Sequence, residues 1–301
     1  MSQHPAIEIT DLHRSFGKTD AVRGVNLTVA KGRCYGLFGR NGAGKTTTIK
    51  CLLNLLRPHS GSVRIFGMDP QRHEVAVKSR LAYVPDSVGF HAWMRVTDVL
   101  EYFASFRKHW NANLQSELIE RFRLDPGQKA NDLSKGQKMQ LALIAAVCPE
   151  PDLLLLDEPT TGLDPIARRE FMESVIGAYQ DAAPGERTIF VSTHLIAEFE
   201  GLIDEFTIVD EGRDILTMES DAARKRFIKA RARFTDEAPD FQSAGVIQQR
   251  RDGRELELIL NGNRERIMAE IRALNPIDIT EEALSLEEIF LTARNAKDIP
   301  S

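Results

Sequence analysis

The sequence predicts an α/β protein, built on a parallel sheet covered on both faces, with a small C-terminal α+β appendage. Three observations carry this. Residues 39–47 read Gly-Arg-Asn-Gly-Ala-Gly-Lys-Thr-Thr, a glycine-rich loop between an apolar run and a segment of helical periodicity. Residues 153–156 and 188–192 lack alternation, as buried parallel strands do. Beyond about residue 218 the pattern changes to alternation interrupted by short helical stretches.

Taken in order, residues 7–10 and 25–29 alternate apolar and polar side chains, as half-buried strands do. Residues 33–38 form a more continuous strand that enters the glycine-rich loop. Ile49, Leu52, Leu53 and Leu56 follow at helical spacing, so a helix starts at the loop and directs its N-terminal dipole at an anion held there; Pro58 follows its end. Residues 81–84 form a strand that stops at Pro85-Asp86. From about 87 to 149 the pattern is helical. Val99, Leu100, Phe103 and Phe106 make one apolar face, and Leu118, Ile119 and Phe122 are part of another. Ser134 occupies an N-cap position before a helix carrying Leu141, Ile144, Ala145 and Cys148, and Pro149 ends it. Residues 208–213 read as a hairpin turn closing the first domain.

In the appendage, Ile228, Ala230, Ala232 and Phe234 alternate with Lys229, Arg231 and Arg233. This basic alternation reads as the solvated face of a strand. Arg251-Asp252-Gly253-Arg254 is a turn before the alternating residues 255–260. Ile267, Ile271 and Leu274 mark a short helix, and Ser285-Leu286-Glu287-Glu288 is a capping box that opens a last one. The expected division is a domain over 1–218, with a helical part at about 87–150, and an accessory α+β domain over 219–301.

Composition restricts the function. The 301 residues are 42% hydrophobic and 28% charged, as in ordinary globular chains. A net charge of −5 argues against a nucleic-acid partner, which calls for a basic surface. No apolar run approaches the roughly 20 residues needed to span a bilayer. The start, Met1-Ser2-Gln3-His4-Pro5, lacks the charged-then-apolar order of a secretion signal. Cys34, Cys51 and Cys148 lie in apolar segments without metal-type spacing, which suits buried thiols in a reducing compartment.

The chemistry is concentrated in three segments. Gly39, Arg40, Asn41, Gly42, Ala43, Gly44, Lys45, Thr46 and Thr47 form a phosphate cradle. Its glycines let backbone N–H groups converge on one anion, Lys45 reaches outer phosphates, and the Thr46 hydroxyl suits Mg²⁺. Residues 133–137 read Leu-Ser-Lys-Gly-Gln. Residues 153–158 are a buried strand ending in Asp157 and Glu158, which suits a metal carboxylate followed by a general base.

This ordered trio resembles the nucleotide-binding subunit of an ATP-binding cassette (ABC) protein, over roughly the first 215 residues. The resemblance implies a P-loop NTPase fold: a RecA-like core, an antiparallel β part and an inserted helical subdomain. It implies ATP and Mg²⁺ as ligands, with Asp157 at the metal and Glu158 as base. His194, in Val191-Ser192-Thr193-His194, would contact the γ-phosphate and hold the attacking water. Ser134, Lys135, Gly136 and Gln137 would complete the site of a second ABC subunit packed head to tail, in a homodimer or a heterodimer. Asp164, in Pro159-Thr160-Thr161-Gly162-Leu163-Asp164, would contact that subunit. An integral membrane permease on a separate chain is the other expected partner. The location implied is the cytoplasm, peripheral to the inner face of the cell membrane. The appendage and residues 286–290 resemble subunits serving exporter-type permeases. Two rival readings stand beside this one: a soluble ABC ATPase unconnected with transport, and an ATP-binding regulatory subunit with little turnover.

Phe16 lies 23 residues before Gly39, where ABC subunits carry an aromatic that stacks on adenine; a core phenylalanine is the other reading. Phe90, Trp93 and Met94 suit either a groove for a permease helix or a core cluster. Two residues depart from the family pattern. Lys135 replaces a glycine of the signature. Asp86 replaces a glutamine that contacts Mg²⁺ and links the site to the permease, so Asp86 is either a metal carboxylate acting through water or a turn residue after Pro85.

Overall fold

Strands with every residue buried carry the core of the first part of the chain, and the glycine-rich loop follows one of them. The structure is a computed structural model describing residues 4–180 and 187–295. Met1–Gln3, read above for the absence of a secretion signal, and the last six residues of the expected accessory domain lie outside the described residues.

Strands β1 (Ile7–Phe16) and β2 (Thr19–Val29) form a hairpin, with Ile7 opposite Val29. Next come β3 (Cys34–Phe38), helix α1 (Lys45–Leu52) and β4 (Ser60–Ile65), which pairs with β1. Short α2 (Glu74–Lys78) leads into β5 (Leu81–Val84). A helical stretch follows: α3 (Val96–Ser105), α4 (Ala112–Arg121) and α5 (Lys135–Val147). Then β6 (Leu153–Asp157), α6 (Pro165–Gln180), β7 (Thr188–Thr193) and the single turn α7 (Ile196–Phe199) precede the hairpin of β8 (Glu205–Asp210) and β9 (Arg213–Glu219). The remainder is α8 (Ser220–Arg226), β10 (Phe227–Arg233), β11 (Val246–Asp252), β12 (Glu255–Asn261), α9 (Arg264–Ala273), β13 (Asp278–Ala283) and α10 (Leu286–Asn295).

The chain divides into two compact units. One holds the described residues up to Leu195 together with Thr207–Asp214; the other holds Ile196–Phe206 and the described residues from Ile215. In the first, β1, β2 and β4 make a three-stranded antiparallel sheet. A six-stranded sheet has the order β5-β6-β7-β3-β8-β9. Within it β5, β6, β7 and β3 pair in parallel. Every residue of β3, β6 and β7 is buried, which accounts for the lack of polar–apolar alternation in their sequences. The thiols of Cys34, Cys51 and Cys148 are free and buried. Burial pushes the Cys51 and Cys148 thiols up to about 11 and about 12, so they stay protonated and unreactive at neutral pH.

The helical stretch follows its caps. Asn111 accepts from the Leu114 N–H at the start of α4, and Ser134 accepts from the Gln137 N–H while Gln137 Oε1 accepts from the Ser134 N–H, a complete capping box. The expected apolar face of α3 is corrected in its second half. Val96, Val99 and Leu100 are buried, whereas Phe103 is 38% and Phe106 69% exposed. The helix ends at Ser105 with Phe106 as its C-cap, so no further turn carries the stripe into the core. Instead Tyr102, Phe103 and Phe106 form an edge-to-face cluster in solvent. The aromatic segment before it also divides: Met94 is buried, Phe90 is half-buried, and Trp93 is exposed and stacked on His91.

The second unit is an antiparallel sheet in the order β11-β12-β10-β13. Ile267, Met268 and Ile271 of α9 pack on Ile228, Ala230, Ala232, Leu256, Leu258 and Leu260. The other face carries charge. Arg231 pairs with Glu257 and Glu282, and Lys229 with Glu282 and Glu288. Ser285 and Glu288 close the capping box that starts α10.

Candidate active site

Sheet order brings the site together. With β6, β7 and β3 adjacent and parallel, Phe38 lies opposite Thr193 and Asp157 opposite Ser192. The segments beginning at residues 39, 157 and 193 therefore leave one edge of the sheet side by side. The carboxyl edge of an open parallel sheet is where α/β folds place their ligands.

The loop between β3 and α1 has its path set by glycine. A Cβ on Gly39 would stand 2.6 Å from the Val209 carbonyl oxygen, and one on Gly44 would stand 2.4 Å from that of Ala21. Gly44 also has φ +102 as the N-cap of α1, a conformation costly for other residues. Arg40, Asn41 and Gly42 are exposed along this loop, Ala43 is buried beneath it, and Thr46 and Thr47 lie in the first turn of α1.

Lys45 is only 5% exposed. Its ammonium donates to the carbonyls of Gly39 at 2.8 Å and Arg40 at 3.2 Å, and lies 2.8 Å from Glu158 Oε1 in an ion pair. Glu158 Oε2 meets His194 Nδ1 at 2.7 Å, and the hydroxyls of Thr161 and Thr193 donate to it at 3.3 Å. Burial acts to raise the Glu158 carboxyl, but Lys45 and His194 outweigh it and hold it below the usual carboxylate range. Glu158 itself has φ +47, a left-handed conformation unusual for this residue type.

Asp157 faces a different environment. It is fully buried, and its Oδ1 accepts from the Ser192 hydroxyl and, at 3.2 Å, from the Thr46 hydroxyl. Burial pushes its carboxyl up, and the charges of Asp86 and Glu158 add to the rise against the hydroxyl hydrogen bonds. A divalent cation at Thr46 and Asp157 would relieve that penalty, and both groups are hard oxygen donors, so the pair fits Mg²⁺. No three acidic, histidine or cysteine residues cluster as a metal site among the described residues. Mg²⁺ bound through one carboxylate and substrate phosphates needs no such cluster.

Lys45, Thr46, Glu158, Thr161 and His194 border a cavity of about 500 Å³, with Asp157 buried beneath Thr46. Phe16, at the end of β1, stands at its wall, 46% exposed and covered by the Arg14 guanidinium 4.9 Å away, rather than in the core. Asp86, exposed just past β5, lines it as well. So does Lys135, whose ammonium donates to the Thr161 carbonyl at 2.8 Å. Ser134 and Gln137 are engaged in their capping box. Asp164 accepts from the N–H groups of Ile166 and Ala167, both at 3.0 Å, and so caps α6, with Pro165 in the first helical position. The sequence reading did not single out Ser192, Thr161 and Thr193 as site residues, although each donates a hydroxyl to one of the two acids. Their sole sequence signal was a hydroxyl next to a strand end.

A cavity of similar size, about 490 Å³, opens on the charged face of the second unit's sheet between Arg231, Arg233 and Arg250 and facing acids. Its lining has neither a glycine-rich loop nor a pairing of acid with histidine, the groups that meet in the first cavity.

The chain is similar to known proteins. The profile of the family described as "ABC transporter" matches residues 22–161. The bacitracin transport ATP-binding protein BcrA of Bacillus licheniformis is 35% identical over 222 residues, which is 73% of this chain and 72% of that protein. The daunorubicin resistance ATP-binding protein DrrA3 of Streptomyces coeruleorubidus is 31% identical over 306 residues, covering 95% of each chain. Among solved structures, one described as the ATP-binding subunit of an ABC transporter superposes with a TM-score of 0.65 at 27% identity, over 73% of this chain and 92% of that one. The cradle, the paired acids and these relatives agree, and the chain belongs to the ABC transporter family as an ATP-hydrolysing, ATP-binding subunit.

Proposed function

We propose that this subunit pairs with a second ABC subunit around ATP and drives export through a permease on a separate chain. The observation that carries the reading is the ion-paired set of Lys45, Glu158 and His194 beside the glycine-rich loop. The loop N–H groups and Lys45 bind the triphosphate. Thr46 and Asp157 would hold Mg²⁺, which would supply positive charge to neutralise the phosphate oxygens. Lys45 turns from Glu158 to the phosphates and leaves the carboxylate uncompensated. Glu158 then accepts a proton from water, while His194 Nδ1 keeps it oriented.

Several features support the rest of this reading. Ser134 starts α5 at the surface, where its hydroxyl and the helix N-terminus suit a phosphate of a second subunit. No helix among the described residues is long and apolar enough to cross a membrane, and the exposed aromatics Trp93, Tyr102, Phe103 and Phe106 in the helical part suit a permease contact. The names of the relatives, bacitracin transport and daunorubicin resistance, favour export. In this reading the subunit sits at the inner face of the cell membrane through its permease.

The base is tested by Glu158→Gln, which is expected to keep ATP binding and slow phosphate release by about 10²–10⁴-fold; normal turnover contradicts the role. Phe16→Ala is expected to weaken ATP and ADP alike, by about 1–3 kcal/mol, because both carry adenine. Since Phe16 is exposed, its melting temperature stays near that of the wild type, and lost stability with unchanged affinity contradicts stacking. Asp86→Ala is expected to raise the Mg²⁺ concentration for half-maximal hydrolysis, with Asp86→Gln restoring turnover in part. Unchanged metal dependence and unchanged transport would leave Asp86 a turn residue.

A further inference from the structure

One residue of the signature segment reaches into its own subunit's site. Lys135, the first residue of α5, extends its ammonium to the Thr161 carbonyl, 26 positions along the chain. The surroundings are shaped for this contact. A Cβ on Gly162 would stand 2.5 Å from Lys135 Nζ, and Gly162 has φ +76, so a glycine leaves both the space and the backbone turn. The neighbouring Gly136 faces the same segment: a Cβ there would lie 3.4 Å from Ala167 Cβ and 3.8 Å from Leu163 Cδ2. Thr161 in turn is tied to Glu158, through its N–H to the Glu158 carbonyl at 3.1 Å and its hydroxyl to Oε2 at 3.3 Å. The left-handed backbone of Glu158 needs outside contacts to persist.

We propose that Lys135 is a positioning residue for Glu158 of its own chain. Its ammonium pins the turn of residues 159–162, and through Thr161 this fixes the Glu158 carboxylate against His194. The proposal rests on Glu158 being the base. It adds a role within the chain for a segment otherwise expected to serve the neighbouring subunit. The contact is solvent-exposed, so it contributes little to folding, and its loss is expected to appear in turnover.

The test is phosphate release by the full chain as a function of ATP concentration. Lys135→Met is expected to lower kcat by about three- to tenfold, the scale of one exposed charge-assisted hydrogen bond, with KM within about twofold and an unchanged melting temperature. Lys135→Arg keeps a donor and is expected to recover most of kcat. Lys135→Gln, neutral and one atom shorter, is the substitute if Lys135→Met fails to fold, with the same expected loss. A raised KM at constant kcat would overturn the proposal, because the ammonium would then bind nucleotide. Unchanged kinetics would overturn it too.

Mixed pairs locate the effect. With one subunit silenced by Glu158→Gln, Lys135→Met on the other, intact subunit is expected to slow turnover. On the silenced subunit it is expected to cost less turnover than on the intact one. The reverse pattern would overturn the proposal and give Lys135 to the partner's site. A wild type that releases no phosphate would sink the hydrolase mechanism and this proposal together. Wild-type turnover with an indifferent Lys135→Met sinks the proposal alone.

Discussion

A buried ammonium must be neutralised, and the site is organised around that requirement. Lys45 is almost wholly removed from solvent, and two loop carbonyls and the Glu158 carboxylate surround its charge. The carbonyls are available because the loop folds back on itself, which Gly39 and Gly44 permit by lying against other backbone. The carboxylate is available because β6 is two strands from β3 with β7 between, so both strand ends reach the same edge. Deleting one partner of such a pair leaves the other buried and uncompensated, a larger cost than the pair contributes. In the proposed cycle a triphosphate takes over the neutralising role and releases Glu158 to act.

The adjacent acids are separated by environment. Asp157 is the last residue of β6, and Glu158 follows it with a left-handed backbone that takes its side chain out of the strand's line. Asp157 meets hydroxyls of Thr46 and Ser192 and is pushed up by burial; Glu158 meets Lys45 and His194 and is held down. Neighbouring titratable groups driven apart in this way mark a division of labour. Here the division suits one acid that gains from a metal cation and one that stays ionised as a base.

Much of this was legible from local sequence. The glycine-rich loop, the unbroken strands, Ser134 as an N-cap and the Ser285–Glu288 capping box all depend on residues within one or two turns of each other. What was not legible depends on distance or on where an element stops. The reach of Lys135 to Thr161 joins residues 26 apart, and nothing in either segment announces it. Phe103 and Phe106 keep helical spacing with Val99, yet the helix ends before that spacing turns inward. Strand β13 carries only Ile279 and Ala283 as apolar residues, because it is an edge strand whose pairing on β10 supplies its order. The hydroxyls of Thr161, Ser192 and Thr193 gain meaning only from the acids that fold beside them.

The central claim, that Lys45 is a charge stored for a triphosphate, is tested most directly by titrating ATP into wild type and Lys45→Ala under conditions without turnover. Loss of a charge-assisted contact predicts affinity weaker by about 1.5–3 kcal/mol, with the melting temperature measured alongside to exclude unfolding. Unchanged ATP affinity in a folded Lys45→Ala protein would contradict the account, because the cradle would then bind nucleotide without the ammonium at its centre.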